Sequence, residues 1–291
     1  MMVITTPTGQ IGHRLVQDLL DRDAPVRVIV RDPAALPPRV RERVETVPGS
    51  HGDPEVAAAA FAGAEAVFLV VPPDPQSADV EAHYVNFARV TCAAARAAGV
   101  RRLIAVSTLG RGIAEHAGHL SAALAMDEVF DGAGLPVRVL RLPFFMENLL
   151  HQAATLREHG AFFLANTADR PLRAVATADI AATAADLLLD PTWTGPGDVP
   201  VVSPDELSPS GMASVMSEAL GRPIAFGQVG LDEYRSTMEG YGMSKAWAQG
   251  LTDMAAAQNE QDVYAVTPDT PRAPTDFRHW CTEVLTPALP A

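Results

Sequence analysis

Lysine is almost absent from this chain. Of its 22 basic residues only Lys245 is a lysine, so no mechanism that needs a lysine in the N-terminal half is open to it. Cysteine is nearly as scarce. Cys92 and Cys281 lie far apart in sequence, which offers no metal-ligand spacing and suggests a reduced, cytoplasmic protein with free thiols. No apolar run reaches the ~20 residues of a membrane-spanning helix, and the N-terminus reads as a strand rather than a secretory signal. Positive charge is in deficit as well. The formal net charge of −13 argues against sequence-independent binding to DNA or to anionic membranes. Neither nucleic acid, membrane nor metal is expected as a partner.

What remains is a globular composition. The 291 residues are 48% hydrophobic, enough to bury a substantial core without disulfides or metals. That length suits one large domain or two unequal ones.

The richest feature is the stretch from Val3 to Gly12. A short β-branched run enters a turn carrying Thr6, Thr8, Gly9, Gln10, Ile11 and Gly12. A helix follows, with Ile11, Leu15, Val16, Leu19 and Leu20 on its apolar face. A strand, a Gly-containing turn and a helix in this order build the pyrophosphate site of a dinucleotide-binding domain. The helix start offers unpaired N–H groups and the positive end of its dipole. Thr6 departs from the pattern, because it puts a Cβ where a glycine normally lets backbone approach the ligand. The alternative is a β-to-α turn with no ligand.

The first half alternates strand and helix patterns. Strands are expected at Val26–Val30, Glu45–Val47, Ala66–Val71, Arg102–Ser107 and Pro136–Arg141. Helices are expected at Pro54–Phe61, Ala78–Ala98 and Leu120–Asp131. This alternation predicts an α/β fold with a doubly wound parallel sheet of Rossmann type and right-handed crossovers. The second half predicts a smaller, helix-rich lobe. Thr177 is expected to cap a helix, Ser208–Leu220 to form another, and a helical pattern from Leu231 to Gln258 breaks at Gly240–Met243. Strands are expected at Val199–Val202 and Pro223–Gly227, with a loop over Pro191–Pro200. The expected division is residues 1–150 as the dinucleotide-binding core and 151–291 as a substrate lobe partly interleaved with it.

The order of motifs resembles the NmrA-like branch of the atypical short-chain dehydrogenase/reductases. The resemblance rests on Thr8–Gly12, Val30–Pro33, Ala62–Phe68 leading to Pro72 and Pro73, Leu140–Leu149 with its Phe-Phe-Met-Glu-Asn run, Ala178–Ala181 and Leu220–Pro223. It implies NAD(P)(H) bound by the core and a C-terminal lobe shaping a pocket for a small hydrophobic substrate. It also implies cofactor contacts from Val71, Pro72, Ser107 and Pro143 beside the N-terminal turn. Phe144, Phe145 and Asn148 are expected to line the pocket beyond the sixth strand, the alternative being a packed loop that caps the sheet. Related proteins include quinone reductases and redox-sensing regulators with little catalysis. A sensor would have a protein partner.

Arg31 lies nineteen residues after Gly12. An arginine at the end of the second strand pairs with the 2′-phosphate of NADP, whereas an acid accepts the ribose hydroxyl of NAD. NADP(H) is therefore expected, with NAD(H) the alternative if Asp32 takes the ribose. Ser50 stands where the family often carries an acid toward the adenine. The family's catalytic tyrosine and lysine slots fall near His119 and Ala123, so the usual pair is missing. His119 is the best proton donor left, and the alternative for it is a surface histidine. Ser107 is a cofactor-side or substrate-side hydroxyl, or one bonded to local backbone. Three functions stay open: a reductase of a quinone, enone or similar hydrophobic carbonyl compound, a non-catalytic NADP(H) sensor, and an isomerase or cyclase on a reductase fold.

Overall fold

The computed structural model describes residues 1–289. Its first half runs β1 (Met2–Ile4), α1 (Gly12–Asp21), β2 (Val26–Val30), α2 (Pro38–Arg41), β3 (Glu45–Pro48), α3 (Pro54–Phe61), β4 (Ala66–Leu69), α4 (Val80–Ala98), β5 (Arg102–Thr108), α5 (His119–Asp131) and β6 (Val137–Leu142). It continues through β7 (Phe144–Phe145), a 3-10 helix (Met146–Gln152), α6 (Ala153–His159), β8 (Ala161–Leu164), β9 (Ala174–Val175), α7 (Thr177–Leu189) and β10 (Gly197–Pro200). The remainder is α8 (Pro209–Leu220), β11 (Ala225–Gln228), α9 (Leu231–Gly240), α10 (Lys245–Glu260), α11 (Phe277–Trp280), a π turn (Cys281–Leu285) and α12 (Thr286–Ala288).

Seven parallel strands form the central sheet in the order β10-β6-β5-β4-β1-β2-β3. Successive residues of a strand face opposite sides, and both sides are dry. Met2, Ile4, Phe68, Ile104 and Leu140 join Leu15, Leu19, Ile180 and Leu188 of α1 and α7. Val3, Val67, Leu69, Leu103 and Val139 join Ala57, Phe61, Ala88, Ala95 and Met126 of α3, α4 and α5. The continuous apolar runs in the sequence are thus explained by helices on both faces. α7 and β10 come late in the chain yet belong to these layers. The remaining C-terminal elements surround a third core of Met146, Phe162, Met216, Phe277 and Trp280, with the small parallel pairs β8–β11 and β7–β9 at its edge.

Several elements differ from the sequence expectation. β4 ends at Leu69, because the Val70 N–H turns to the Thr5 hydroxyl (3.0 Å) and leaves the ladder. β10 starts at Gly197, inside the expected loop, because Gly197–Pro200 pair with Arg138–Arg141 of β6. Ala176, and not Thr177, occupies the cap position of α7. The Thr177 N–H is bonded by the Glu147 carboxylate (2.9 Å), so a distant side chain does the capping. β11 is shifted to Ala225–Gln228 by its register with β8.

α10 lies across the start of α5 at very close range. Gly118 has φ +52°, and a Cβ there would stand 1.9 Å from the Gly250 carbonyl oxygen. Gly118→Ala must separate the two helices or distort the turn, so a loss of about 2 kcal/mol or more is expected. Urea unfolding of the variant checks this, and a midpoint equal to the parent's refutes it.

Candidate functional site

The sheet reverses direction of growth at β1. β2 and β3 lie on one side, β4, β5, β6 and β10 on the other. In open α/β sheets a ligand crevice lies beyond the carboxyl ends of the strands at such a switch point. Its two walls here are the turn after β1 and the segment after β4.

The first wall is the Thr5–Gly12 turn. Gly9 N–H donates to the Thr6 carbonyl (3.0 Å) and His13 N–H to Gly9 (3.0 Å). The N–H groups of Thr8, Gln10, Ile11 and Gly12 have no hydrogen-bond partner among the described residues. They open α1 and suit an anion such as a diphosphate. Gly12 is required by close packing, since a Cβ there would stand 2.1 Å from the Thr6 carbonyl oxygen. Thr6 itself has φ +46°, a strained conformation for a β-branched residue.

At the end of β2, Arg31 is exposed. The Asp32 carboxylate accepts the Ala34 N–H (2.9 Å), capping a short 3-10 turn. Ser50 Oγ accepts the Gly52 N–H (3.2 Å), and Asp53 caps α3 through the Glu55 and Val56 N–H groups. An open groove of about 790 Å³ passes Ser50, Gly52, Asp53, Pro54, Glu55 and Phe87. Of the expected cofactor contacts only Ser50 lines it, so the groove does not define the crevice.

The second wall is Val70–Pro73, with Val71 and Pro72 half-buried. His51 Nε2 stands 3.1 Å from the Val70 carbonyl and His83 Nε2 2.8 Å from the Pro72 carbonyl. A carbonyl can only accept, so both rings carry a proton on Nε2. Burial pushes the His51 pKa down to about 4, against the Val70 bond and with help from His83.

Beyond β5 and β6 the polar groups are turned inward. Ser107 is buried, and its hydroxyl donates to Asp127 Oδ2 (3.0 Å) and lies 3.5 Å from the Ala123 carbonyl. Asp127 contacts Arg141 Nη1, and Arg141 Nη2 lies 2.8 Å from Asp198 Oδ1. Burial raises the Asp127 pKa to about 6 despite Arg141 and Ser107. Desolvation opposes the Arg141 charge, but Asp198 and Asp127 hold its pKa above the ordinary value.

His119 is buried under α10, with Nε2 3.3 Å from the Trp247 carbonyl and the two rings edge to face at 4.4 Å. Burial lowers its pKa to about 4. His119 and Ser107 thus flank the first turns of α5, but their polar atoms address different protein partners. Tyr84 packs against the core, where burial pushes its pKa up to about 12.

Pro143 is buried between β6 and β7. Phe144 and Phe145 are half-buried and face opposite ways, one against the C-terminal core and the other against the sheet core. Asn148 is exposed. Sequence reasoning did not find Thr5, His51, His83, Asp127, Arg141 or Trp247. Their only sequence signal is a polar side chain inside an apolar stretch, or beside one.

The chain belongs to the NAD(P)H-binding family, whose model matches residues 7–191. This agrees with the NmrA-like, atypical short-chain dehydrogenase/reductase resemblance. The chain is 32% identical to the (4-alkanoyl-5-oxo-2,5-dihydrofuran-3-yl)methyl phosphate reductase of Streptomyces griseus subsp. griseus, over 97% of each chain. It is 27% identical to the NAD(P)H azoreductase of Xenophilus azovorans, over 88% of this chain and 86% of that one. The NADPH-dependent quinone oxidoreductase of Escherichia coli, solved with NADPH, has the same fold, with a TM-score of 0.77 and 20% identity over 98% of this chain and 99% of that one.

Two measurements test this geometry. Thr6→Gly removes the strained φ and returns some freedom to the unfolded chain, so a net gain of about 0.5–1 kcal/mol is expected in urea unfolding; a loss would show that the hydroxyl or Cβ matters more than the strain. The second is a pH dependence. His51 is neutral in the fold with its pKa near 4, while the unfolded value is the ordinary 6.5. Between these values the unfolded chain binds more protons, so stability contributed by His51 is present above pH 6.5 and lost as pH falls toward 4. Asp127 acts in the opposite sense, because its pKa is raised. His51→Gln keeps a donor for Val70 but does not titrate. The parent's stability should then fall about 1 kcal/mol more per pH unit than the variant's between roughly pH 6 and 5, and parallel pH profiles would reject the assignment.

Proposed function

We propose that the chain is an NAD(P)H-dependent reductase of a quinone, enone or similar hydrophobic carbonyl compound. The observation that carries this reading is the switch-point crevice, where four unpartnered N–H groups at the start of α1 await a diphosphate. NAD(P)H, when bound, supplies a hydride, and the acceptor gains two electrons with a proton from water. Thr8 to Gly12 hold the diphosphate, Val71 and Pro72 form the opposite wall, and Ser107 and Pro143 close the end beyond β5 and β6. Phe144, Phe145 and Asn148 border the substrate.

NADP(H) is favoured over NAD(H). Asp32 is occupied with capping, whereas Arg31 is exposed beside the crevice, and a planar guanidinium matches a phosphate. An electron-poor acceptor suits a site with no Tyr–Lys pair, since it takes a hydride without a strong acid. The relatives support this class: one is named for azo reduction and another for an unsaturated lactone.

A second reading has its own observation. Ser107 and His119 already engage protein atoms, which favours a sensor that binds NADP(H) and turns over nothing. NADPH consumption with a panel of quinones and enones separates the two. Turnover supports the reductase, and binding without turnover supports the sensor. Arg31→Ala should weaken NADPH binding about 10-fold and NADH binding hardly at all. Equal affinities for both nucleotides, unchanged in the variant, would remove the NADP(H) preference.

A further inference from the structure

The β4 side of the crevice is a poor candidate for rigidity. Residues 70–79 have no regular secondary structure, and Pro72, Pro73 and Pro75 donate no N–H. Its carbonyls are nevertheless anchored from behind. His51 and His83 reach the alternate carbonyls of Val70 and Pro72, while the Thr5 hydroxyl holds the Val70 N–H from the opposite wall. Phe87 fills the space between the two imidazoles, at 4.7 Å from His51 and 5.1 Å from His83.

His83 differs from His51 in reaching an aromatic ring of α10. Its ring meets Trp247 of α10 edge to face at 5.9 Å. The turn before α10 grips the same segment further along. Ser244 N–H donates to the Pro75 carbonyl (2.8 Å), Ser244 Oγ to the Ser77 carbonyl (2.5 Å), and Gln76 Nε2 to the Gly242 carbonyl (2.5 Å). The cofactor wall and the α9–α10 hairpin are therefore tied together, and His83 is one of the joints.

We infer that His83 is a positioning residue for the nicotinamide cofactor, setting its affinity by fixing the Pro72 carbonyl and seating α10 against the wall. This deepens the proposed function and rests on its placement of the cofactor between the two walls. His83 touches the wall and not the cofactor, and a wall free to shift binds the nucleotide less well because it must be ordered on binding.

The test compares two variants that keep the bulk of the side chain. His83→Leu fills the space without a donor, and His83→Gln offers an N–H near the position of Nε2. NADPH affinity is measured by calorimetry on the full chain, with urea unfolding of each variant alongside. His83→Leu should weaken NADPH binding about 10-fold, and His83→Gln should return to within about threefold of the parent. A role in stability alone would lower the urea midpoint and leave the affinity in place. Parental NADPH affinity in His83→Leu, or a Gln variant as weak as the Leu variant, overturns the inference alone. A parent chain that binds neither nucleotide overturns the proposed function and this inference with it.

Discussion

One bond and one close approach at the centre of the sheet hold the crevice in shape. The Thr5 hydroxyl accepts the Val70 N–H, joining the loops that leave β1 and β4 just where the strands stop. One residue on, the Thr6 carbonyl lies so close to Gly12 that only a glycine fits at the start of α1. The direction of α1, and so of its unpartnered amides, follows from that approach. Backbone N–H groups left unpaired inside a fold are costly, so a chain that keeps four of them at a helix start keeps them where water or an anion reaches. The whole arrangement converges on the one place where the sheet's connectivity opens a gap.

The same economy governs the histidines. Burial makes a charged imidazole expensive, and His51 and His119 respond by staying neutral and donating to carbonyls. Each ring has one proton to give, and each gives it to the backbone. A histidine in this condition orients main chain well and is badly placed to protonate a substrate. The site therefore has firm walls and little acid chemistry, which is the combination that a strong hydride acceptor tolerates and a poor one does not.

The fold was legible because both of its signals are periodic. Buried parallel strands read as unbroken apolar runs, and helices α1 and α4 repeat at helical spacing, so α3 and β2 match their expected limits residue for residue. The exceptions are tertiary in origin. Val70 and Val71 look like strand, yet a threonine hydroxyl sixty-five residues earlier takes the amide that would continue the ladder. Gly197 and Asp198 look like loop, yet the edge of β6 recruits them. The candidate site was legible where local backbone makes it, as in the turn at Gly9 to Gly12, and obscure where distant side chains meet. Nothing in sequence joins His83 to Trp247, or Ser107 to Asp127 and Arg141, because those contacts exist only once α4, α5 and α10 have packed.

The Phe-Phe-Met-Glu-Asn run shows how a family signature can mislead a search for chemistry. Its acid, Glu147, is buried. Glu147 spends one oxygen on the Thr177 N–H at the start of α7, where a carboxylate satisfies an open amide and meets the positive end of the helix dipole. The segment after β6 is thereby tied to α7, the helix that covers one face of the sheet. Phe144 and Phe145 reinforce the tie by packing into separate cores on either side. The motif thus preserves the junction between the nucleotide-binding sheet and the C-terminal elements. It permits any chemistry that a pocket at that junction can hold, which is why likeness in this run fixes architecture more firmly than substrate.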